Sequence, residues 1–532
     1  MKRRSFVKKA AAVGAVLPLS LNGMGLKTFE DSPLLRALSR RGSSDGKVLV
    51  IINLSGGNDG LNTLIPIDQY SNLSKARSNI LLPEEKVLAM NGTTKTGLHT
   101  KLTGLKDLYN NGLVNVIQSV GYPNPSFSHF QATDNWMSGS ETSESWTTGW
   151  MGRYLDARFP GFPSGYPSTA MPDPLAIQIG NLVNLTFMGS QLNMAMAITD
   201  PNSFYNLITD TIDKTPDTPA GHELAFLRMV AQQSNQYATV VKAAAAKGKN
   251  MSTKYPTGGT GRKFQLADSL KIVAKLISGG LKTPVYMVSM GGFDTHSLQV
   301  DNNDHSEGSH ASLMQQLSEG ISAFQDDIKL LGLQDRIVGM TFSEFGRRVM
   351  SNGSVGTDHG AAAPMFVFGS AVQSGIIGAN PTIASTVNVK DNVPMQYDFR
   401  QIYASVLKDW FELSNADVKI AMGGKDFNTL PIFKANQSSI DDYVDLVSQI
   451  SLNRIYPNPA VNETNIEYST EAGNIRISIY DALGHLITVP KEGWHSHGIY
   501  TLNVDLKGYP RGNYYIQMSQ GEKRITASFL IQ

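Results

Sequence analysis

Six side chains that could hold a cation or be activated by one stand just past apolar runs of this chain: Asp59, Ser128, Asp294, His296, Glu344 and His359. Each follows a short apolar stretch and a glycine or turn signal, which is how an open α/β sheet assembles one site from distant parts of a sequence. Carboxylate oxygens and imidazole nitrogens together suit a divalent cation that keeps a position open for substrate. Asp294 and His296 lie two residues apart, so an extended segment places both on one side, and with His359 they form a facial set of one carboxylate and two imidazoles. A second set, Asp59 and Glu344 with the hydroxyl of Ser128, is the material for another cation.

Ser128 is the candidate nucleophile, with Ser126 as its alternate. It precedes a helix expected from about His129, where free N–H groups and the helix dipole attract an anion; a plain helix cap is the competing reading. Arg347 and Arg348 follow Glu344 closely, and a guanidinium fork matches the oxygens of an anionic group, although surface pairing is the commoner fate of such residues. His129 reads as a base beside the site or as a structural histidine. His305 falls in the polar run Val300 to Ser309, and His310 follows it directly. Gly56-Gly57 lacks the Lys-Ser/Thr of a phosphate-binding loop. His485, His495 and His497, near the C-terminus, read as solvent-facing.

The elements that must position these groups follow from the apolar patterning. Val48-Leu49-Val50-Ile51-Ile52 is a continuous β-branched and aliphatic run, the mark of a strand buried on both faces. A helical stretch from Leu102 to Tyr109 and a second strand at Leu113 to Ile117 follow, which implies a parallel crossover. The same rhythm returns with helices near Phe264 to Ile277 and Ala311 to Leu331, strands at Val285 to Val288, Ile337 to Thr341 and Met365 to Phe368, and a helix from Phe399 to Leu413. The fold class expected is α/β, a doubly wound, mostly parallel sheet over residues 46–435. Residues 141–261, rich in aromatics and prolines, read as an insertion or cap. Residues 436–453 read as a linker. Residues 454–532 alternate with period two between regular turns, as a small antiparallel β-sandwich does.

Three motifs of that last region, Tyr456-Pro457-Asn458-Pro459, Ile479-Tyr480-Asp481-Ala482-Leu483-Gly484 and Gly512-Asn513-Tyr514-Tyr515, occur in one order. Together they resemble the C-terminal sorting domain of type IX secretion cargo. That resemblance implies passage across the outer membrane, then release or surface attachment. At the other end, Met1 to Lys9 is basic and Ala10 to Leu21 modestly apolar, so residues 1–30 read as an export signal, and Arg3-Arg4 with Phe6 and Lys8 resembles the twin-arginine type. The partners implied are the twin-arginine and type IX export machineries. No later segment is long and apolar enough to span a bilayer.

Gly56-Gly57-Asn58-Asp59-Gly60, Ser128-His129-Phe130, Gly292-Phe293-Asp294-Thr295-His296, Ser343-Glu344-Phe345-Gly346-Arg347 and Asp358-His359-Gly360 resemble the DUF1501 family of exported proteins. That family is similar to the alkaline phosphatase and sulfatase superfamily, which implies an alkaline-phosphatase-like sheet. In those terms Asp294, His296 and His359 resemble the first metal site, with Zn²⁺ the expected ion. Relatives place an Asp-His pair where this chain has Glu344-Phe345, so the second site lacks an imidazole and suits a harder ion such as Mg²⁺, Ca²⁺ or Mn²⁺. A sulfatase-type cysteine is absent, and the serine motif lacks its arginine, which favours phosphate esters over sulfate esters.

Composition narrows the classes further. The chain holds 46 Lys and Arg against 45 Asp and Glu, a net charge of +1 that gives no electrostatic footprint for nucleic acid. With no cysteine among 532 residues, disulfides, thiolate metal sites and a cysteine nucleophile are excluded. The sequence therefore predicts an exported metal-dependent hydrolase of a small phosphate or related anionic ester. The alternative is a surface binding protein that keeps the phosphatase-like fold without turnover.

Overall fold

The computed structural model describes residues 20–21, 24–25, 46–201, 218–256, 265–434, 450–470, 473–495, 498–521 and 523–532. The export signal, apart from two short paired segments, and residues 436–449 of the expected linker lie outside these. The chain divides into two compact units, one of residues 41–434 and one that contains residues 435–532.

The larger unit is built on a nine-stranded sheet. Its strands are β1 (Val48–Leu54), β2 (Val114–Gly121), β3 (Ala176–Ile179), β4 (Met196–Ile198), β5 (Val285–Met290), β6 (Ile337–Phe342), β7 (Ala363–Phe368), β8 (Gly375–Ile377) and β9 (Tyr397–Asp398). They lie in the order β8-β2-β7-β6-β1-β5-β3-β4, with β9 against β2. Every pairing is parallel except the two made by β7, which is antiparallel to β6 and β2. This is the mostly parallel sheet that the patterning predicts.

Strand β1 shows why both faces must be covered. Val48, Val50, Ile52 and Leu54 enter one apolar cluster, while Leu49 and Ile51 enter another on the opposite face. The first cluster is closed by α1 (Thr103–Asn110), α4 (Pro219–Lys247), α5 (Gln265–Ser278) and α6 (Ser309–Leu330). The second is closed by α2 (His129–Ser138), α3 (Trp150–Arg158) and α7 (Phe399–Ser405), with Trp136 stacked on Phe399 and Trp150 on Tyr403. Each fully buried aliphatic or aromatic side chain contributes about 1.5–3 kcal/mol. The two apolar faces thus make the sheet a rigid platform.

Three adjacent parallel strands, β6, β1 and β5, end along one edge of this sheet. Because β7 runs the other way, the segment that leads into it, His359–Gly360, arrives at that same edge. The region expected as an insertion or cap also contributes to the sheet. Residues 141–261 contain β3 and β4, which extend the sheet beyond β5, since Ala176-Ile177-Gln178-Ile179 is short and fully buried among the prolines that obscure it.

The smaller unit pairs two antiparallel sheets around one core. One sheet is β10 (Ser451–Tyr456), β11 (Glu463–Thr470) and β14 (Gly498–Asp505) in the order β10-β11-β14. The other orders β13 (Leu486–His495), β12 (Gly473–Tyr480), β15 (Gly512–Gln520) and β16 (Lys523–Ile531) as β13-β12-β15-β16. Ile466, Ile477, Ile479, Ile516 and Met518 fill the space between them. Strand β10 begins three residues inside the stretch expected as linker. His495 is buried rather than solvent-facing, because alternation at the end of β13 turns Trp494 outward and His495 toward the hydroxyl of Tyr468, 3.2 Å away. His485 is exposed beside Asp481, and His497 lies outside the described residues.

Gly339 in β6 faces the ring of Phe368, and a Cβ there would come within 2.1 Å of it. Gly339→Ala is expected to cost about 1–3 kcal/mol through overpacking, read as a lowered urea midpoint at unchanged slope.

Candidate metal centre

The loops at the sheet edge approach one another at glycines. Gly56 has φ +124°, and a Cβ on it would sit 2.3 Å from the backbone nitrogen of Asp294; on Gly57, with φ +84°, it would enter the ring of Phe345. These glycines let the loop after β1 lie against the loops after β5 and β6. They serve chain packing, not the cradling of a phosphate.

Three histidines converge there in the same manner. His296 directs Nδ1 to Asp358 Oδ1 at 3.2 Å, His359 directs Nδ1 to the carbonyl of Phe127 at 2.8 Å, and His129 directs Nδ1 to Glu344 Oε1 at 2.9 Å. A carbonyl or carboxylate oxygen only accepts, so each Nδ1 is the donor and the Nε2 of each ring is the atom turned toward the cluster. All three Nε2 atoms face the carboxylate of Asp294, at 3.2 Å for His296, 3.1 Å for His359 and 3.4 Å for His129. The Nε2 atoms of His296 and His359 are themselves only 2.8 Å apart.

Lone pairs brought this close repel unless a cation or protons lie among them. Burial holds the His359 imidazole below its ordinary pKa, against the pull of its bonds to Phe127 and Asp294. Burial also opposes the charge of Asp294, but the hydrogen bonds and charges of Arg347, with His359 and His296, outweigh it and bring its carboxyl down to about 2. Asp294, His296 and His359 are therefore drawn together as a charged oxygen and two nitrogens. A circle through Asp294 Oδ1 and the two Nε2 atoms has a radius of about 1.8 Å, shorter than the 2.0–2.2 Å bonds of Zn²⁺ to such ligands. The donor set fits a divalent cation. Histidines that ligate a metal hold their other ring nitrogen on an acceptor, and the bonds to Asp358 and Phe127 would serve His296 and His359 in that way.

The other expected site residues take different places. Asp59 is not at the centre: its carboxylate is fully buried and receives Arg77 Nη1 at 2.9 Å and Gln299 Nε2 at 2.6 Å. Burial raises its pKa, but Arg77, with His310 and Gln299, lowers it further. Arg77 comes from a short helix, Tyr70–Arg77, that carries no motif, so nothing local marks the pairing. Glu344 is likewise committed, accepting the Gly56 N–H at 2.8 Å and the proton of His129. No second cation site is assembled from Asp59, Glu344 and Ser128.

Arg347 is no free anion clamp either. Its guanidinium is buried and donates to the carbonyls of Gly56, Gly57, Phe293 and Thr357 and to Asp294 Oδ1. Gly346–Arg347 also pairs in antiparallel fashion with His359–Gly360, which sets His359 beside Asp294. Arg348 is the more available cation: it lies 5.3 Å over the ring of Phe127 and donates to the carbonyl of Lys390.

Ser128 occupies the N-cap of α2 as expected, yet its side chain makes no capping bond and is exposed. Its neighbours are both part of the centre, Phe127 through its carbonyl and His129 through its ring. Ser126 accepts the N–H of Ser128. His305 donates to the carbonyl of Leu81, and His310, at the start of α6, faces Asn58 at 3.3 Å. Neither Asp358 nor Gln299 stands out as a site residue from sequence; the position of Asp358 next to His359 is the one available signal.

The family profile described as "Protein of unknown function (DUF1501)" matches residues 115–421, more than half of the chain. The chain belongs to the DUF1501 family. A second profile, described as "Secretion system C-terminal sorting domain", matches residues 454–532. This DUF1501 protein is therefore exported, with the secretion machinery as a partner, and is secreted or attached to the outer cell surface. Among its described residues no helix is long and apolar enough to cross a membrane. No curated protein matches it.

Solved structures resemble it weakly. One is Ps i-CgsB in complex with k-i-k-neocarrahexaose, at 10% identity and TM-score 0.32 over 80% of this chain and 83% of that one. A protein in the alkaline phosphatase superfamily from Vibrio parahaemolyticus has 11% identity and TM-score 0.33 over 90% and 83%. The PsFucS1 sulfatase from Pseudoalteromonas sp. has 10% identity and TM-score 0.27 over 89% and 86%. Likeness at this level says nothing about the chemistry of this DUF1501 chain.

Asp59→Ala is expected to lower the stability of the metal-free protein by about 3–5 kcal/mol, because it strands a buried guanidinium; urea unfolding in chelator measures this, and a ligand role alone would leave the metal-free protein unchanged. Burial also holds His310 down to about 4 and, 5.7 Å from it, His99 down to about 3. The unfolded chain binds more protons than the folded one from about pH 6.5 downward. Stability is then full above pH 6.5 and falls on acidification toward pH 4, by up to about 1.4 kcal/mol per pH unit for each such proton. His310→Gln is expected to flatten that slope in denaturation curves taken between pH 4.5 and 7.5.

Proposed function

We propose that this protein is an exported metal-dependent hydrolase of phosphate or related anionic esters, with Asp294, His296 and His359 as its metal ligands. The observation that carries the reading is the convergence of two imidazole Nε2 atoms on one carboxylate, each ring fixed from behind by an acceptor at Nδ1. A divalent cation held there polarises an ester oxygen and eases ionisation of a hydroxyl or water.

The chain's own groups suit an anionic substrate. Side-chain exposures of 47% for Asp294 and 44% for His296 leave the centre open, whereas a purely structural site is closed. The first N–H groups of α2 have no side-chain cap, so the positive end of that helix faces solvent beside the cluster and draws negative charge. Arg348, stacked on Phe127, adds a cation on the same side. Ser128, between Phe127 and His129, offers an exposed hydroxyl without a hydrogen-bond partner among the described residues, in the position of a nucleophile. Since the chain has no cysteine for a sulfatase-type nucleophile, phosphate esters are preferred over sulfate esters.

A second reading, a surface binding protein without turnover, has one observation in its favour. Phe345 packs its ring 4.4 Å from that of His359 and 4.9 Å from that of His129, filling space that a second cation would need. Metal analysis of the purified protein, then an ester panel with wild type and His359→Ala, separates the readings. About one equivalent of metal and a loss of at least about a hundredfold in turnover on His359→Ala are expected, a first-layer ligand weighing more than an outer one. Stoichiometric metal with no His359-dependent turnover, or absence of metal, overturns the hydrolase and leaves the binding protein.

A further inference from the structure

We propose that His129 is the fourth protein donor of the centre and that Glu344 is the residue that positions it, an assignment that rests on the metal-binding reading of Asp294, His296 and His359. His129 opens α2. A ring nitrogen of His129, an oxygen of Asp294 and a ring nitrogen of His359 lie within 4.8 Å of one another. The rings of His129 and His359 meet edge to face at 4.5 Å.

Glu344 settles which nitrogen is offered. Its side chain is 3% exposed, and its Oε1 is pinned by the backbone N–H of Gly56 while it takes the proton of His129 Nδ1 at 2.9 Å. The lone pair of His129 is thereby left at Nε2. The bland alternative is an imidazolium that bridges Glu344 and Asp294. A charge-assisted bond of that kind closes to about 2.7–2.9 Å, but Nε2 stands 3.4 Å from Asp294 Oδ2. Asp294 divides its oxygens accordingly: Oδ1 faces Arg347, His296 and His359, and Oδ2 faces His129.

His129 thus repeats the arrangement of the other two histidines, and Glu344 does for it what Asp358 does for His296. Three imidazoles and one carboxylate form a nitrogen-rich set. Such a set selects Zn²⁺ or another late first-row ion over Mg²⁺ and Ca²⁺, which prefer oxygen.

The test uses the full chain stripped with chelator and titrated with Co²⁺, read by visible absorption and by the dissociation constant. His129→Ala is expected to weaken binding by at least about tenfold and to change the band shape, and Glu344→Gln to weaken it by about tenfold, the usual effect of an outer partner. His485→Ala, in the smaller unit, serves as the unaffected control. Wild-type affinity and spectrum in His129→Ala, with binding lost in Asp294→Ala, overturns the fourth donor while the three-residue centre stands. A wild-type protein that binds no Co²⁺ overturns both. Should His129→Ala fail to fold, X-ray absorption of the Zn²⁺-loaded wild type decides: scattering from three imidazoles supports the assignment, and from two overturns it.

Discussion

A guanidinium with no exposed surface must place all its N–H groups inside the protein, and that of Arg347 places them on three loops at once. It donates to Gly56 and Gly57 after β1, to Phe293 and Asp294 after β5, and to Thr357 ahead of His359. A buried cation is tolerated only with such full satisfaction, so the loops cannot separate without stranding it. The spacing of Asp294 and His359 is a consequence of this one residue. Beneath it, Gln299 takes the hydroxyls of Thr295 and Thr357 on Oε1 and gives Nε2 to Asp59, which Arg77 anchors. Arg77 in turn donates to the carbonyls of Val349 and Arg348, closing the circuit behind the strand of Arg347.

The sheet supplies the frame in which this circuit works. Strands β6, β1 and β5 are neighbours and parallel, so their last residues lie side by side without adjustment. Reversing only β7 brings His359 to that edge on an incoming chain, which is why ligands from before and after a strand can share one site. The contribution of α2 is different in kind. Its first turn places Ser128 and His129 at the cluster, while its last turn is fixed by Trp136 against Phe342 and Phe399 in the core below.

Strand-end position made Asp294, His296 and His359 legible in the sequence, since an acid and two imidazoles past buried strands have few alternative uses. The same rule named Asp59, Glu344 and Arg347 for direct roles, and there it failed. A loop residue of the right type can face the site or face its scaffold, and that choice depends on partners such as Arg77 and Gln299 that no local pattern marks. Position alone could not reveal that Glu344 reaches His129 rather than a cation. The sheet was legible because β1, β5 and β6 are unbroken apolar runs. Strands β3 and β4 were hidden, being of four and three residues within a stretch whose prolines and aromatics read as loop. In the smaller unit, alternation was plain enough to give the antiparallel sheets, but not to say on which side His495 would fall.

The buttressing role of the misread acids has an electrostatic consequence for the centre. Asp294, Asp358 and Glu344 surround it as carboxylates, against the guanidinium groups of Arg347 and Arg348. These five groups carry one excess negative charge, which the divalent cation proposed for the site would convert to one excess positive charge. The positive end of α2 adds to it. Had Asp59 also faced the cluster, the excess would vanish and an anionic ester would gain nothing by approaching. Arg77 prevents this by holding Asp59 as a neutral pair in the interior, where low dielectric keeps the two charges together. The assignment of one acid to the scaffold therefore keeps a further negative charge away from the open side of the centre.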